Sequence, residues 1–158
     1  QNSKKPFFLY LAHSMPHIPL GVTSDFNDKK QTLYANVVNE IDWSVEQITK
    51  QLQRLNLTDD TIIIFTSDNG PWLNYGNHAG STGGLREGKG TCWEGGVKVP
   101  YIIKWPGKIP ANYENNGLAS TLDIMPSLIN IINGKQPDLP IDGIDLSESW
   151  LNKNINSK

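Results

Sequence analysis

The sequence predicts an α/β fold. Three observations carry this: a continuous β-branched run, Thr61-Ile62-Ile63-Ile64-Phe65-Thr66; a long helical spacing of apolar residues just ahead of it; and an apolar, aromatic run from Phe7 to Ala12 ahead of both. A strand, helix, strand order calls for a sheet with helices packed on its faces. The 158 residues are about the size of one ordinary domain, so a single core is expected.

In chain order, Phe7 to Ala12 reads as a buried strand. It ends in His13-Ser14-Met15-Pro16-His17-Ile18-Pro19, where two prolines forbid regular structure and place two histidines on a loop. From about Asp28 to Leu55, the residues Tyr34, Val38, Ile41, Val45, Ile48, Leu52 and Leu55 are spaced 4, 3, 4, 3, 4, 3, one face of a long amphipathic helix. Thr61 to Thr66 then reads as a central parallel strand covered on both faces. Ser67-Asp68-Asn69-Gly70-Pro71 stops it, and the Gly-rich, polar and aromatic stretch to Gly96 shows no period, which predicts a long functional loop.

Val97 to Trp105 reads as a further strand, stopped by Pro106-Gly107. Residues 120 to 133 carry Leu122, Met125, Leu128, Ile129 and Ile132 at helical spacing, with Pro126 near the start and Ser120 or Asp123 as the N-cap. After Gly134 the chain is polar and Pro-containing, without pattern. The domain reading is therefore residues 1–150, with 151–158 as a polar tail. Gln1-Asn2-Ser3-Lys4-Lys5 carries neither an initiator Met nor a signal-type apolar region, a start that looks like a cut through a longer protein.

Composition excludes several function classes. Fourteen Lys plus Arg against sixteen Asp plus Glu give a net charge of −2 with no basic block beyond a Lys-Lys pair, so electrostatic nucleic-acid binding is not expected. The longest apolar runs fall far short of the roughly 20 residues of a membrane span. At 37% hydrophobic and 19% charged residues the chain is globular rather than disordered. Its one cysteine, Cys92, excludes an internal disulfide, and no basic motif adjoins it to make it a nucleophile.

Both polar clusters follow strand-like runs, and ligands of α/β sheets collect at the carboxyl ends of strands. Asp68 and Asn69 offer two hard oxygen ligands suited to Ca²⁺ or Mg²⁺; an Asx-turn closing on its own backbone is the plain alternative. They cannot complete a site, since Ca²⁺ takes roughly six to eight oxygens. His13 and His17 lack the Cys cluster or HExxH pattern of a zinc site, but a loop histidine near a cation can bind an anion or protonate a leaving group. Lys89 stands between Gly88 and Gly90, so backbone can approach a ligand while the ammonium reaches in. A solvated loop lysine is the alternative. Asn56-Leu57-Thr58 matches a glycosylation sequon, a pattern frequent by chance.

Four motifs in order, Pro6-Phe-Phe-Leu-Tyr-Leu-Ala-His-Ser-Met-Pro-His-Ile-Pro, Thr66-Ser-Asp-Asn-Gly-Pro, Leu85-Arg-Glu-Gly-Lys-Gly-Thr-Cys-Trp-Glu-Gly-Gly-Val and Asp142-Gly-Ile-Asp-Leu, resemble the second half of the catalytic domain of type I sulfatases of the arylsulfatase A kind. The resemblance implies an alkaline-phosphatase-like three-layer α/β/α fold, present here in part, and hydrolysis of sulfate esters with Ca²⁺ at the site. It assigns Asp68 and Asn69 to the metal, and His17, rather than His13, to contact with the sulfate and protonation of the leaving oxygen. Lys89 matches the lysine that binds the sulfate and the bridging oxygen. His78 and Arg86, in the same loop, are expected near the sugar or aryl part.

The family's formylglycine nucleophile arises in a Cys/Ser-x-Pro/Ala-x-Arg motif that these 158 residues do not contain, Cys92 being in the wrong context. The expectation is therefore a C-terminal portion of a sulfatase catalytic domain, inactive unless the remainder of that domain completes it. Its expected partner is a sulfated small molecule or sulfated glycan, and its expected location periplasmic or secreted. Two other readings stand beside this one: a two-metal phosphoesterase or phosphonate hydrolase of the same superfamily, and a non-catalytic module that binds sulfated glycans.

Overall fold

A computed structural model of the chain describes residues 5–151, so residues 152–158 of the expected polar tail lie outside the described residues. The described elements are α1 (Leu33–Arg54), β1 (Ile63–Thr66), α2 (Glu94–Val97), β2 (Tyr101–Lys104), α3 (Ile124–Ile131) and α4 (Ser147–Leu151). Short 3-10 turns run over Ser24–Phe26, Leu73–His78 and Thr121–Asp123. The chain divides into two compact units: residues 1–50 with 70–97, and residues 51–69 with 98–158.

In the first unit, α1 begins at a capped turn. The Thr32 hydroxyl accepts from the Ala35 N–H at 3.1 Å, supplying a partner that the first helical turn lacks. Near its start the buried residues are Asn36 and Val37, at 2% and 1% exposure, whereas Val38 of the predicted apolar face is 42% exposed; near its end Leu52 of that face is buried as expected. The buried seam thus lies one position from the predicted one at the start. The Asn36 side-chain amide donates to the Asp28 carbonyl at 2.9 Å, so a polar residue takes a core position while satisfying a loop carbonyl.

Phe7 to Ala12 is not a strand. Phe8 and Tyr10 are 80% and 82% exposed, and no described segment pairs with this run. The reason is physical: an apolar run becomes a strand only when a neighbour takes up its N–H and C=O groups.

In the second unit, α1 ends as its sequence foretells. Asn56 takes the left-handed conformation, with φ of 55°. The Asn56 N–H donates to Gln53 O at 3.1 Å and the Leu57 N–H to Leu52 O at 2.9 Å. That bond pair is a Schellman C-cap, with Asn in the place usually held by Gly. It places the Asn of the sequon at the helix end.

β1 pairs with β2 antiparallel, in the register Ile63↔Lys104 to Thr66↔Tyr101, which corrects the expected central parallel strand. Phe65 is 38% exposed, so β1 is not covered on both faces among the described residues. A β-branched run specifies extension and burial; the pairing direction comes from the connection.

α3 is held by one carboxylate. Asp123, 7% exposed, accepts from the Ser120 N–H at 2.7 Å through Oδ2 and from the Ile144 N–H at 2.8 Å through Oδ1. Ser120 is the cap, accepting from the Leu122 N–H at 3.3 Å. The Ser127 hydroxyl donates to Asp123 O at 2.6 Å and accepts from the Leu146 N–H at 2.7 Å. Together these bonds fasten the polar segment 143–147 to α3, and α4 follows, burying Trp150 at 6% exposure. This helix lies where the sequence shows no pattern, because five residues are too few to display a period.

Asp123→Ala should destabilise the fold by about 2 to 4 kcal/mol in chemical denaturation, since two backbone donors lose their partner at once. Tyr101 makes a contrasting case. Its hydroxyl is buried without a partner, and burial together with the nearby Asp123 charge pushes its pKa from 10.0 up to about 12. The fold therefore favours the neutral phenol: that contribution is complete below pH 10 and is lost as the pH rises through about 12. Tyr101→Phe should leave stability at neutral pH unchanged or higher and should reduce the alkaline loss, as read from thermal unfolding at pH 7 and above pH 10.

Candidate functional site

Most of the predicted site residues lie in the first unit, in the segment from Gly70 to Val97 and the histidine loop. The segment is wound so tightly that glycine is required at several points. The Gly70 N–H donates to Gly96 O at 2.9 Å, the Lys89 N–H to Pro71 O at 2.9 Å, and the Gly95 N–H to Arg86 O at 2.9 Å. A Cβ on Gly88 would sit 2.6 Å from Pro71 O, and one on Gly95 would sit 2.6 Å from Arg86 O and closer still to Glu87 O. On Gly96 it would meet Thr91 O and, at 2.6 Å, Gly88 O. Three glycines of the Gly-Lys-Gly-Thr-x-x-Glu-Gly-Gly pattern, Gly88, Gly95 and Gly96, thus mark backbone approaches that no side chain can enter, and the fourth, Gly90, marks a positive φ.

Lys89 stands where these approaches meet. On one side Glu87 holds φ of 60°, on the other Gly90 holds 91°. A left-handed conformation at Glu87 is unfavourable for an L residue, and such strain persists where the surroundings impose it. With its backbone tied to Pro71, Lys89 is half-buried and its ammonium lies 5.5 Å from the centroid of the Trp72 ring. Arg86 is exposed, with its guanidinium 3.5 Å over the Trp93 ring. Stacking leaves its in-plane N–H groups able to donate to an anion.

The turn Leu73–His78 crosses this surface. Gly76 bends it, with φ of 50° and ψ of −120°. Trp72 and Tyr75 meet at 4.7 Å between centroids with an interplanar angle of 67°. His78 closes the turn, its Nδ1 accepting from the Leu20 N–H at 3.2 Å. That bond joins this turn to the end of the histidine loop and puts the proton of the neutral ring on Nε2.

In the histidine loop, His17 is exposed. Its Nδ1 lies 2.6 Å from the Ile18 carbonyl, which can only accept, so Nδ1 carries a proton and donates there. His13 instead shares a 3.0 Å hydrogen bond with the Ser44 hydroxyl of α1, a structural tie. An open cavity of about 490 Å³ lies beside His13, lined among others by Leu11, Met15, Val37 and Trp43. None of the six predicted site residues lines it.

Asp68 and Asn69 belong to the second unit, directly after β1. The Ser67 hydroxyl donates to Asn69 O at 3.2 Å, with Asp68 Oδ1 a long 3.5 Å away. Asp68 is exposed and Asn69 half-buried. As a donor set they fit a hard cation in kind but not in number: two oxygens, with no group of three His, Cys, Asp or Glu gathered as a metal site among the described residues.

Comparison with known proteins decides the family. A family model of sulfatases matches residues 1–134. The chain belongs to the sulfatase family. It is 39% identical over 153 residues to human steryl-sulfatase, covering 92% of this chain and 26% of that protein. With human arylsulfatase A it shares 36% over 148 residues, covering 93% of this chain and 29% of the relative.

Among solved structures, Ps i-CgsB in complex with k-i-k-neocarrahexaose superposes with a TM-score of 0.83 at 33% identity, covering 94% of this chain and 34% of that one. A Bacteroides thetaiotaomicron chain described under the metabolism of multiple glycosaminoglycans gives 0.83 at 32%, covering 98% and 34%. The α/β fold is thus the alkaline-phosphatase-like fold of these sulfatases, present in part. The chain spans about a quarter to a third of the length of these relatives. No described helix is long and apolar enough to cross a membrane. The phosphoesterase and non-catalytic readings are not favoured by these matches.

Sequence reading singled out Lys89, His17, His78 and Arg86 but passed over Trp72, Tyr75 and Trp93, the aromatic residues beside the two cations. An aromatic residue in an aperiodic loop carries no spacing signal; its closeness to a lysine 17 positions further on appears only once the backbone ties are known.

Gly95→Ala should destabilise the protein by about 3 kcal/mol, because backbone carbonyls rather than a yielding side chain oppose the new methyl. Gly21→Ala, whose Cβ would meet nothing within 4 Å, should shift stability by no more than about 0.5 kcal/mol. Thermal unfolding of the two variants side by side checks the contrast.

Proposed function

We propose that these 158 residues are a C-terminal portion of a sulfatase catalytic domain and supply one side of the site of a sulfuric-ester hydrolase. The observation that carries the reading is the sulfatase match over residues 1–134, within which all six candidate positions fall. The geometry of the glycine-bound loop adds support, since it presents a lysine ammonium on a frame that cannot readily shift.

In this reading the Lys89 ammonium takes up the sulfate oxygens and the charge that grows on the bridging oxygen as the S–O bond breaks. His17 Nε2, protonated, gives its proton to that oxygen, so the alcohol leaves neutral. Asp68 and Asn69 hold two positions of a Ca²⁺ shell, with Mg²⁺ as the alternative, and the other ligands come from residues beyond these. The cation, when bound, withdraws charge from the sulfuryl oxygens. Arg86 and His78 contact the part of the substrate beyond the sulfate. The formylglycine nucleophile belongs to residues outside the chain, as does the surface that covers the exposed run Phe7 to Leu11.

The substrate is a sulfated small molecule or a sulfated glycan; the glycan named in the Ps i-CgsB structure favours the latter. Family membership also supports a periplasmic or secreted location.

In the complete protein, Lys89→Ala and His17→Ala should each lower sulfate-ester turnover by about 10²-fold or more. Near-normal turnover by both variants would overturn the assignment. Asp68→Ala should weaken Ca²⁺ binding in calorimetric titration; an unchanged metal content would move the metal site elsewhere.

A further inference from the structure

Trp72, Tyr75 and Lys89 form one cluster within the first unit. The Lys89 ammonium lies 5.5 Å from the Trp72 centroid, and the Trp72 and Tyr75 rings meet at 4.7 Å and 67°. Trp72 is 37% exposed and Tyr75 45%, so the pair leaves ring surface open beside a cation. Asn74 and Asn77, on the same turn, are exposed as well. A ligand that satisfies all of these carries an anion for the ammonium, a face of C–H bonds for the electron-rich rings, and hydroxyl groups for the amides and the phenol. A flat aryl sulfate offers the anion but a π face in place of C–H bonds and no hydroxyl groups for the amides; a sulfated sugar ring offers all three.

We propose that Trp72 and Tyr75 are the platform on which the sugar ring of the substrate stacks while Lys89 holds its sulfate, so that this pair sets specificity for sulfated saccharides. The proposal rests on the reading of Lys89 as the sulfate-binding lysine. A sulfate oxygen accepting from the ammonium at about 2.8 Å leaves the ring that bears the ester within contact reach of the indole. The Lys89 main chain is tied to Pro71 O at 2.9 Å, a bond that does not involve the indole and so remains when the Trp72 ring is removed. The bend at Gly76, where φ is 50°, returns the chain so that Tyr75 meets Trp72 edge to face and the two rings make a corner rather than a flat surface.

The test uses the complete protein and probes that are not turned over: inorganic sulfate, methylene-sulfonate analogues of the 6-sulfates of galactose, N-acetylgalactosamine and N-acetylglucosamine, and benzyl sulfonate as the aryl counterpart. Affinities are read by calorimetric titration. Trp72→Ala should weaken the best sugar analogue about tenfold and leave inorganic sulfate within about twofold, while Trp72→Phe, which keeps a ring, retains most of the affinity. Should Trp72→Ala fail to fold, Tyr75→Ala carries the same expectation at severalfold.

The proposal is overturned if the alanine variants leave the sugar analogues unaffected, or if they weaken inorganic sulfate equally, which would make Trp72 a support for Lys89 only. It is also overturned if benzyl sulfonate shows the larger loss, or if no sugar analogue binds the unaltered protein more tightly than inorganic sulfate does. Lys89→Ala separates the underlying reading: unchanged affinity for inorganic sulfate would refute Lys89 as the sulfate ligand, whatever the aromatic variants show.

Discussion

Backbone passing against backbone, where glycine alone fits, is the constraint on which the candidate site depends. Carbonyls of Pro71, Arg86, Glu87, Gly88 and Thr91 occupy the space that side chains at Gly88, Gly95 and Gly96 would need. Three hydrogen bonds, from the N–H groups of Gly70, Lys89 and Gly95, close the winding. A long loop is ordinarily the part of a domain with the greatest freedom. Here the loop is held by its own main chain, and the strain at Glu87 marks how firmly. Such a frame keeps the Lys89 main chain in one place, its N–H bonded to Pro71 O, with the ammonium beside the Trp72 ring.

Around that frame the chemistry is divided. The first unit carries Lys89 near Trp72, Arg86 on Trp93, and all three histidines, of which His17 has its Nδ1 bonded to the Ile18 carbonyl. The second carries Asp68 and Asn69, one carboxylate and one amide directly after β1, and the buried Asp123 network that fastens α3 to the following segment. Asp123 and Asp68 show how context decides a carboxylate's role. Buried and with its two oxygens taken by two backbone donors, Asp123 builds the fold; Asp68 stands exposed at a strand end, with a long contact to Ser67 among the described residues.

How much could be read from the sequence differs element by element, for physical reasons. α1 and its Asn56 stop were legible because periodicity and capping are local properties, and α3 with its Ser120 cap for the same reason. The glycine-lysine loop was legible as a pattern, although the purpose of Gly95 and Gly96 needed coordinates. Phe7 to Ala12 failed as a strand because extension needs a partner, and the antiparallel pairing of β1 was hidden because apolar runs do not state direction. Trp72 and Tyr75 escaped because nothing local ties them to Lys89. The histidine loop and Asp68-Asn69 both follow strand-like runs in the sequence; only the second of those runs is a strand among the described residues.

A preformed frame around Lys89 can be seen by amide hydrogen exchange in the complete protein without sulfate. The amides of Gly70, Lys89 and Gly95 should exchange as slowly as those inside α1, because each donates to a carbonyl within a tightly wound segment. Exchange at the rate of an open loop, slowing only when sulfate is added, would contradict the account and make the frame a product of binding.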